Sequence, residues 1–331
     1  MNKLSFKITK PNSLILLCRL IEYKSDLINK IKNKKLKKMT AKLLINIDDK
    51  KIIGHTSTVR CLVILNNYRI ASGSDDNTIK IFDLISGDCL LTINGHENHV
   101  RCLIKHNDNH IISGSDDKTI KTWNIDTGSC ITTISLLESV RCLVKTNSKH
   151  ILIGTMEGTI KIMDIETGYC VKTITSNNSG YKSILCLIKI KGNLVVCGND
   201  DQIIVWDLHT RTCLKTLSGH EGTVFCLLEV RQNLILSGSE DQTIKLWDIS
   251  KGDCLKTLTG HTSPIMCLLK LNLNQFISVS SFCTIKTWDS NSIECLDTIT
   301  GHVGTVFCVV KLNANKIASG SADKSIRIIE I

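Results

Sequence analysis

The chain has 331 residues, a hydrophobic content of 42%, an aromatic content of 4% and two prolines. Its formal net charge is +10, yet residues 1–47 hold twelve basic side chains against Glu22 and Asp26, and the other 284 residues balance 29 basic with 29 acidic groups. The body is therefore neutral, which excludes a basic nucleic-acid-binding domain, and its core must be built from Ile, Leu and Val.

At the N-terminus, Asn12 or Ser13 after Pro11 is placed to cap a helix. Leu20, Ile21, Leu27, Ile28 and Ile31 then fall at approximate helical spacing. Residues 14–21, LILLCRLI, are too short to span a bilayer, are interrupted by Arg19 and lack a small-residue cleavage site, so no transmembrane segment or signal peptide is expected. The run Lys30–Lys38 reads as a nuclear-import signal, a weak electrostatic contact for nucleic acid or anionic lipid, or a solvated linker. No aromatic residues interleave with it to stack on bases. Residues 1–43 are thus expected to be a basic extension, partly helical or disordered.

From residue 44 onward a repeat with a period near 41 dominates, with units starting near 54, 95, 135, 177, 219, 260 and 301. Each unit runs through an apolar stretch such as VRCLVI, a second ending in Ser-Gly-Ser, a tight Asp-containing turn, a Thr-Ile-Lys-x-Trp-Asp stretch, a turn of the type SGDC and a last short stretch. Four β-rich segments separated by Gly, Asp, Asn and Ser turns predict four short antiparallel strands per unit. The repeat also absorbs most of the sixteen cysteines. Cys61, Cys102, Cys142, Cys186, Cys226, Cys267 and Cys308 form one series, and Cys89, Cys130, Cys170, Cys213, Cys254 and Cys295 a second. No C-x-x-C pair exists, so no metal site is expected. Both series read as reduced, buried small hydrophobes in a reducing compartment, cytoplasmic or nuclear.

With Gly-His at Gly54-His55, Gly95-His96, Gly219-His220, Gly260-His261 and Gly301-His302, residues 44–331 resemble the WD-repeat family. The resemblance implies an all-β, seven-bladed propeller around a central channel. Ile331 follows directly on the third strand of the last unit, so the family's pattern puts the missing fourth strand at residues 44–53, closing the ring. It also implies buried hydrogen-bonded sets, complete here in His96, Ser113, Asp117, Trp123 and in His220, Ser237, Asp241, Trp247. Their repetition and tryptophan companion make them structural and not catalytic. No P-loop, G-x-G-x-x-G or G-x-S-x-G motif is present, so neither an enzyme nor a cofactor is expected.

In this family the narrower face often binds partners, which makes a protein–protein interaction scaffold the leading expectation. The residue after the one that opens each innermost strand reads Arg60, Arg101, Arg141, Leu185, Phe225, Met266 and Phe307 around the ring. Acidic residues precede the turn Asp at Asp75, Asp116, Asp200 and Glu240. The segment GHTSTVRC, Gly54–Cys61, closely resembles F-box/WD subunits of ubiquitin ligases, which implies arginines gripping acidic or phosphorylated peptides and ligase components as partners. Residues 1–47 lack a recognisable F-box, and the acidic neighbours oppose phosphate. Two readings of the arginines therefore stand: a peptide-binding patch, or rim residues tied to Asp75 and Asp116.

Overall fold

The computed structural model describes residues 50–175 and 183–331. The expected helix, the lysine run 30–38 and residues 44–49 lie outside the described residues. Within them, 28 strands form seven four-stranded antiparallel sheets, and no helix is present. Blade 1 is typical: Val59–Ile64 innermost, then Arg69–Ser74, Ile79–Asp83 and Cys89–Ile93 outermost. Blades 1 to 6 are meanders, and the first three strands of blade 7 follow the same path, because consecutive strands are joined by short turns. Asn77, Lys118, Gln242, Cys283 and Lys324 each take a positive φ in the turn between second and third strands. The innermost strands of successive blades touch one another, and Val306–Lys311 of blade 7 meets Val59–Ile64 of blade 1. The sheets therefore close into a ring.

The aliphatic core lies between blades. Ile79, Ile81 and Ala71 of blade 1 pack with Val100, Leu103, Ile111 and Trp123 of blade 2, and equivalent clusters recur around the ring. The Ser-Gly-Ser motif makes this possible. A Cβ on Gly73 would come within 2.6 Å of Val100 and 2.7 Å of the Cys61 sulfur, so the second strand needs a residue without a side chain where the next blade presses in.

The innermost cysteines fill the same seam: the sulfurs of Cys61, Cys142, Cys186 and Cys226 lie 3.6–3.9 Å from a carbonyl of the following blade. Burial pushes the Cys61 thiol up to about 12 and the Cys102, Cys142, Cys186, Cys226 and Cys308 thiols well above their ordinary value. The second series does not fit its expectation: Cys89, Cys130, Cys170, Cys213, Cys254 and Cys295 are all exposed. They begin or nearly begin the outermost strand, on the rim of the ring, where no further strand covers them.

Lysines add a second inter-blade tie. At the far ends of the innermost strands, Lys105, Lys145, Lys189, Lys270 and Lys311 donate to the carbonyls of Leu65, His106, Thr146, Val230 and Leu271 in the preceding blade.

The last blade is completed by a strand from a distant part of the sequence. Lys50–Ile53 pairs antiparallel with Ser325–Glu330, in the register Lys50↔Ile328 to Ile53↔Ser325. It becomes the outer strand of blade 7, and Ile52 is only 2% exposed there. Among the described residues, no helix is long and apolar enough to cross a membrane.

Candidate partner-binding face

The buried histidine sets hold the loops that define one face of the ring. In blade 2, His96 Nε2 meets Ser113 Oγ at 2.6 Å, His96 Nδ1 meets Asp117 at 2.6 Å, and Trp123 Nε1 donates to Ser113 Oγ at 2.7 Å. Blade 5 repeats this with His220, Ser237, Asp241 and Trp247 at 2.6–2.8 Å. Burial alone would raise the Asp117 carboxyl, but hydrogen bonds from Thr119 and His96 hold it below its ordinary value. The His96 imidazole is pushed down by burial, against the pull of Asp117. Ser113 and Ser237 are fully buried behind these bonds.

The other blades lose one member each or more. Phe82 replaces the tryptophan in blade 1 beside His55, Ser72 and Asp76, and Ile329 replaces it in blade 7 beside His302, Ser319 and Asp323. In blade 6, Phe282 occupies the Asp position, and His261 Nδ1 meets only Thr284 Oγ1 at 3.2 Å. Blade 3 has a substitute that the repeat pattern does not reveal: Glu138 accepts from Thr159 Oγ1 at 2.5 Å and pairs with Lys161 at 3.1 Å.

All seven residues expected to face a partner share one local cause. In every blade the ladder between first and second strands slips by one residue, between Val59 and Cys61, Val100 and Cys102, Val140 and Cys142, Ile184 and Cys186, Val224 and Cys226, Ile265 and Cys267, and Val306 and Cys308. The skipped residues are Arg60, Arg101, Arg141, Leu185, Phe225, Met266 and Phe307. A bulge leaves its extra residue unpaired and re-aims its side chain, so the fold turns out one side chain per blade at the start of the innermost strand.

The structure joins three of these arginines to two of the predicted acids. Arg60 grips Asp75 with two nitrogens, at 2.9 and 2.6 Å. Arg101 does the same to Asp116, at 2.6 and 2.5 Å, and also lies 3.8 Å from Asp75. Arg141 approaches the same Asp116 at 3.3 Å, because Met156 stands where blade 3 would have its own acid. The result is an alternating ladder, Arg60–Asp75–Arg101–Asp116–Arg141, across three consecutive blades. Its carboxylates are 9% and 13% exposed and its arginines 18–24%, so the ladder is half-buried but still faces solvent. Burial lowers the Arg141 guanidinium from its ordinary value, and its Nε has no hydrogen-bond partner. Three guanidinium groups thus share two carboxylates.

Sequence reading missed His99, whose Nδ1 lies 3.1 Å from Arg101 and 3.5 Å from Asp116. It also missed Met156, although that residue occupies the aligned position of Asp75 and Asp116. Glu240 takes the Thr223 hydroxyl of its own blade at 2.7 Å, and Asp200 sits in the matching turn of blade 4.

The ring brings the two halves of the face together where blade 7 meets blade 1. The Arg60 guanidinium lies 4.1 Å from the centre of the Phe307 ring, a cation–π contact. Phe225, Met266, Phe307 and Leu185 are all half-buried. Two more apolar side chains on this face are far more exposed, Phe282 at 68% and Val303 at 83%. The replacement of the turn Asp by Phe282 is visible in the sequence, but its exposure is not.

A ring of seven four-stranded blades with buried histidine sets and one outward bulge per blade defines a seven-bladed β-propeller. The family description "WD domain, G-beta repeat" matches residues 49–83, 87–124, 211–248, 252–289 and 293–330. The chain belongs to the WD-repeat family, whose propellers are typical protein–protein interaction scaffolds. No curated protein matches the chain. Among the described residues, no group of three or more His, Cys, Asp or Glu side chains is placed to hold a metal ion.

Proposed function

We propose that this protein is a non-catalytic scaffold that holds a peptide or protein partner on the face carrying Arg60, Arg101 and Arg141. The observation that carries this reading is the seven-fold bulge, which turns a graded set of side chains toward one channel mouth. Arginine and aromatic residues are frequent interface anchors, and the apolar sector formed by Met266, Phe282, Val303 and Phe307 offers them beside a pre-ordered arginine ladder. Asp75 and Asp116 neutralise much of the ladder and favour an apolar anchor over a phosphate. A photo-crosslinking residue at Phe282 is expected to capture a partner in cell extract that the same residue at Tyr68, on the opposite face, does not. Equal capture at both positions contradicts the assignment.

A second reading makes the chain a substrate adaptor of a ubiquitin ligase binding acidic or phosphorylated peptides. Arg141 favours it, because it lacks a carboxylate of its own. Recovery of ligase core subunits with the full chain, together with a phosphopeptide-bearing partner that is lost on Arg141→Gln, supports that reading, and absence of the core subunits leaves the plain scaffold. A reducing setting, cytoplasmic or nuclear, belongs to the same proposal and fits fifteen described cysteines that are all unpaired.

A further inference from the structure

Blade 4 departs from the repeat at two positions that surround one cleft. In the other six blades the third residue of the third strand segment is basic: Lys80, Lys121, Lys161, Lys245, Lys286 or Arg327. Four of these lysines cross to a threonine on the outermost strand, at 2.8–3.0 Å. Blade 4 has Ile204 instead, opposite Thr216 in the same register, so the ammonium and half the side-chain length are missing. The second departure lies beneath it. Cys197 replaces the serine that receives the indole N–H in blades 2, 5 and 6, so Trp206 Nε1 faces a weakly accepting sulfur and finds no oxygen acceptor among the described residues, although the residue is only 7% exposed.

What is left is a cleft of about 450 Å³ between the outermost strand of blade 3, Cys170–Thr175, and the third and outermost strands of blade 4, Gln202–Asp207 and Thr212–Ser218. Ile174, Ile204 and Trp206 give it apolar walls, and Gln202 and Thr216 supply hydrogen-bonding groups. At its edge stands Arg211, exposed, held at φ +62° and forming no ion pair among the described residues. A pocket of this size with apolar walls and few polar groups suits a small ligand. An unpaired guanidinium beside it selects a carboxylate.

We propose that this cleft binds a small organic anion with a flat apolar body, the body against Ile204 and Trp206 and the carboxylate on Arg211. The site is separate from the partner-binding face and does not depend on it.

The test uses the full chain labelled with ¹⁵N and 2-naphthoate as the probe. The four tryptophans give four indole N–H signals, of which that of Trp206 is the one not donated to a serine. Titration is expected to shift the Trp206 signal saturably and to leave the other three in place. Neutral 2-naphthamide is expected to bind at least tenfold more weakly, and Arg211→Gln to weaken 2-naphthoate at least fivefold. Ile204→Lys restores the residue of the other blades, so it is expected to keep the melting temperature while abolishing the shift. No shift of the Trp206 signal overturns the proposal, and so does equal binding by the amide or by Ile204→Lys.

Discussion

A single side chain decides the chemistry of each histidine loop, and blade 6 shows it by omission. His261 lies against Ser278 with no carboxylate on its other nitrogen, and burial, with Lys286 nearby, pushes its imidazole down to about 4. A histidine whose folded value lies below its unfolded value of about 6.5 is protonated first in the unfolded chain. Its contribution to stability is therefore intact above pH 6.5 and is lost as pH falls toward 4. Phe282→Asp supplies the carboxylate found in blades 1, 2, 5 and 7. The variant is expected to raise the His261 titration midpoint, followed by NMR, and to gain about 1–2 kcal/mol at neutral pH from a charge-assisted hydrogen bond. A midpoint that stays near 4 contradicts this account of the loop.

At the scale of the strand, position within the blade sets the chemistry of otherwise equivalent residues. The innermost cysteines are buried or half-buried between blades with thiols pushed up, whereas Cys89, Cys130, Cys170, Cys213, Cys254 and Cys295 stand on the rim. Alkylation of the native chain at pH 8, read peptide by peptide, is expected to modify the rim series at least tenfold faster than Cys61, Cys102 and Cys186. Comparable rates would mean that the blades open readily. This split marks a limit of what the sequence made legible. The repeat period located strands, turns and ring, because hydrogen-bonded meanders leave a period that composition cannot hide. It said nothing of burial, because the period is the same for a strand covered by a neighbouring blade and for one at the perimeter. The bulge residues Arg60 to Phe307 were legible for the same reason as the strands, being fixed one step after the residue that opens each innermost strand. The ladder's pairing was not, since it depends on which carboxylate lies across a blade boundary, and Met156 changes that at Arg141.

For the whole molecule, closure runs, among the described residues, through four that are distant in sequence from their partner strand. Lys50–Ile53 covers the edge of Ser325–Glu330, and Ile52 anchors it in the core. Ile52→Ser removes buried apolar surface and is expected to cost about 2–4 kcal/mol. Deleting residues 1–53 leaves the blade 7 edge unpaired and is expected to cause self-association, seen by light scattering. A deleted chain that stays monomeric with unchanged melting would show that the clasp is dispensable.

The proposed function has a closed ring with one outward residue per blade concentrate recognition on one face, and proximity labelling in cells tests that proposal most directly. Three full-length forms are compared: wild type, Arg141→Gln with Phe282→Ser and Phe307→Ala, and Tyr68→Ser with Leu273→Ser on the opposite face. The account predicts that the first variant loses a defined subset of labelled proteins, while the second keeps the wild-type set and all three melt alike. An unchanged set in the first variant, or the same losses in both, contradicts it.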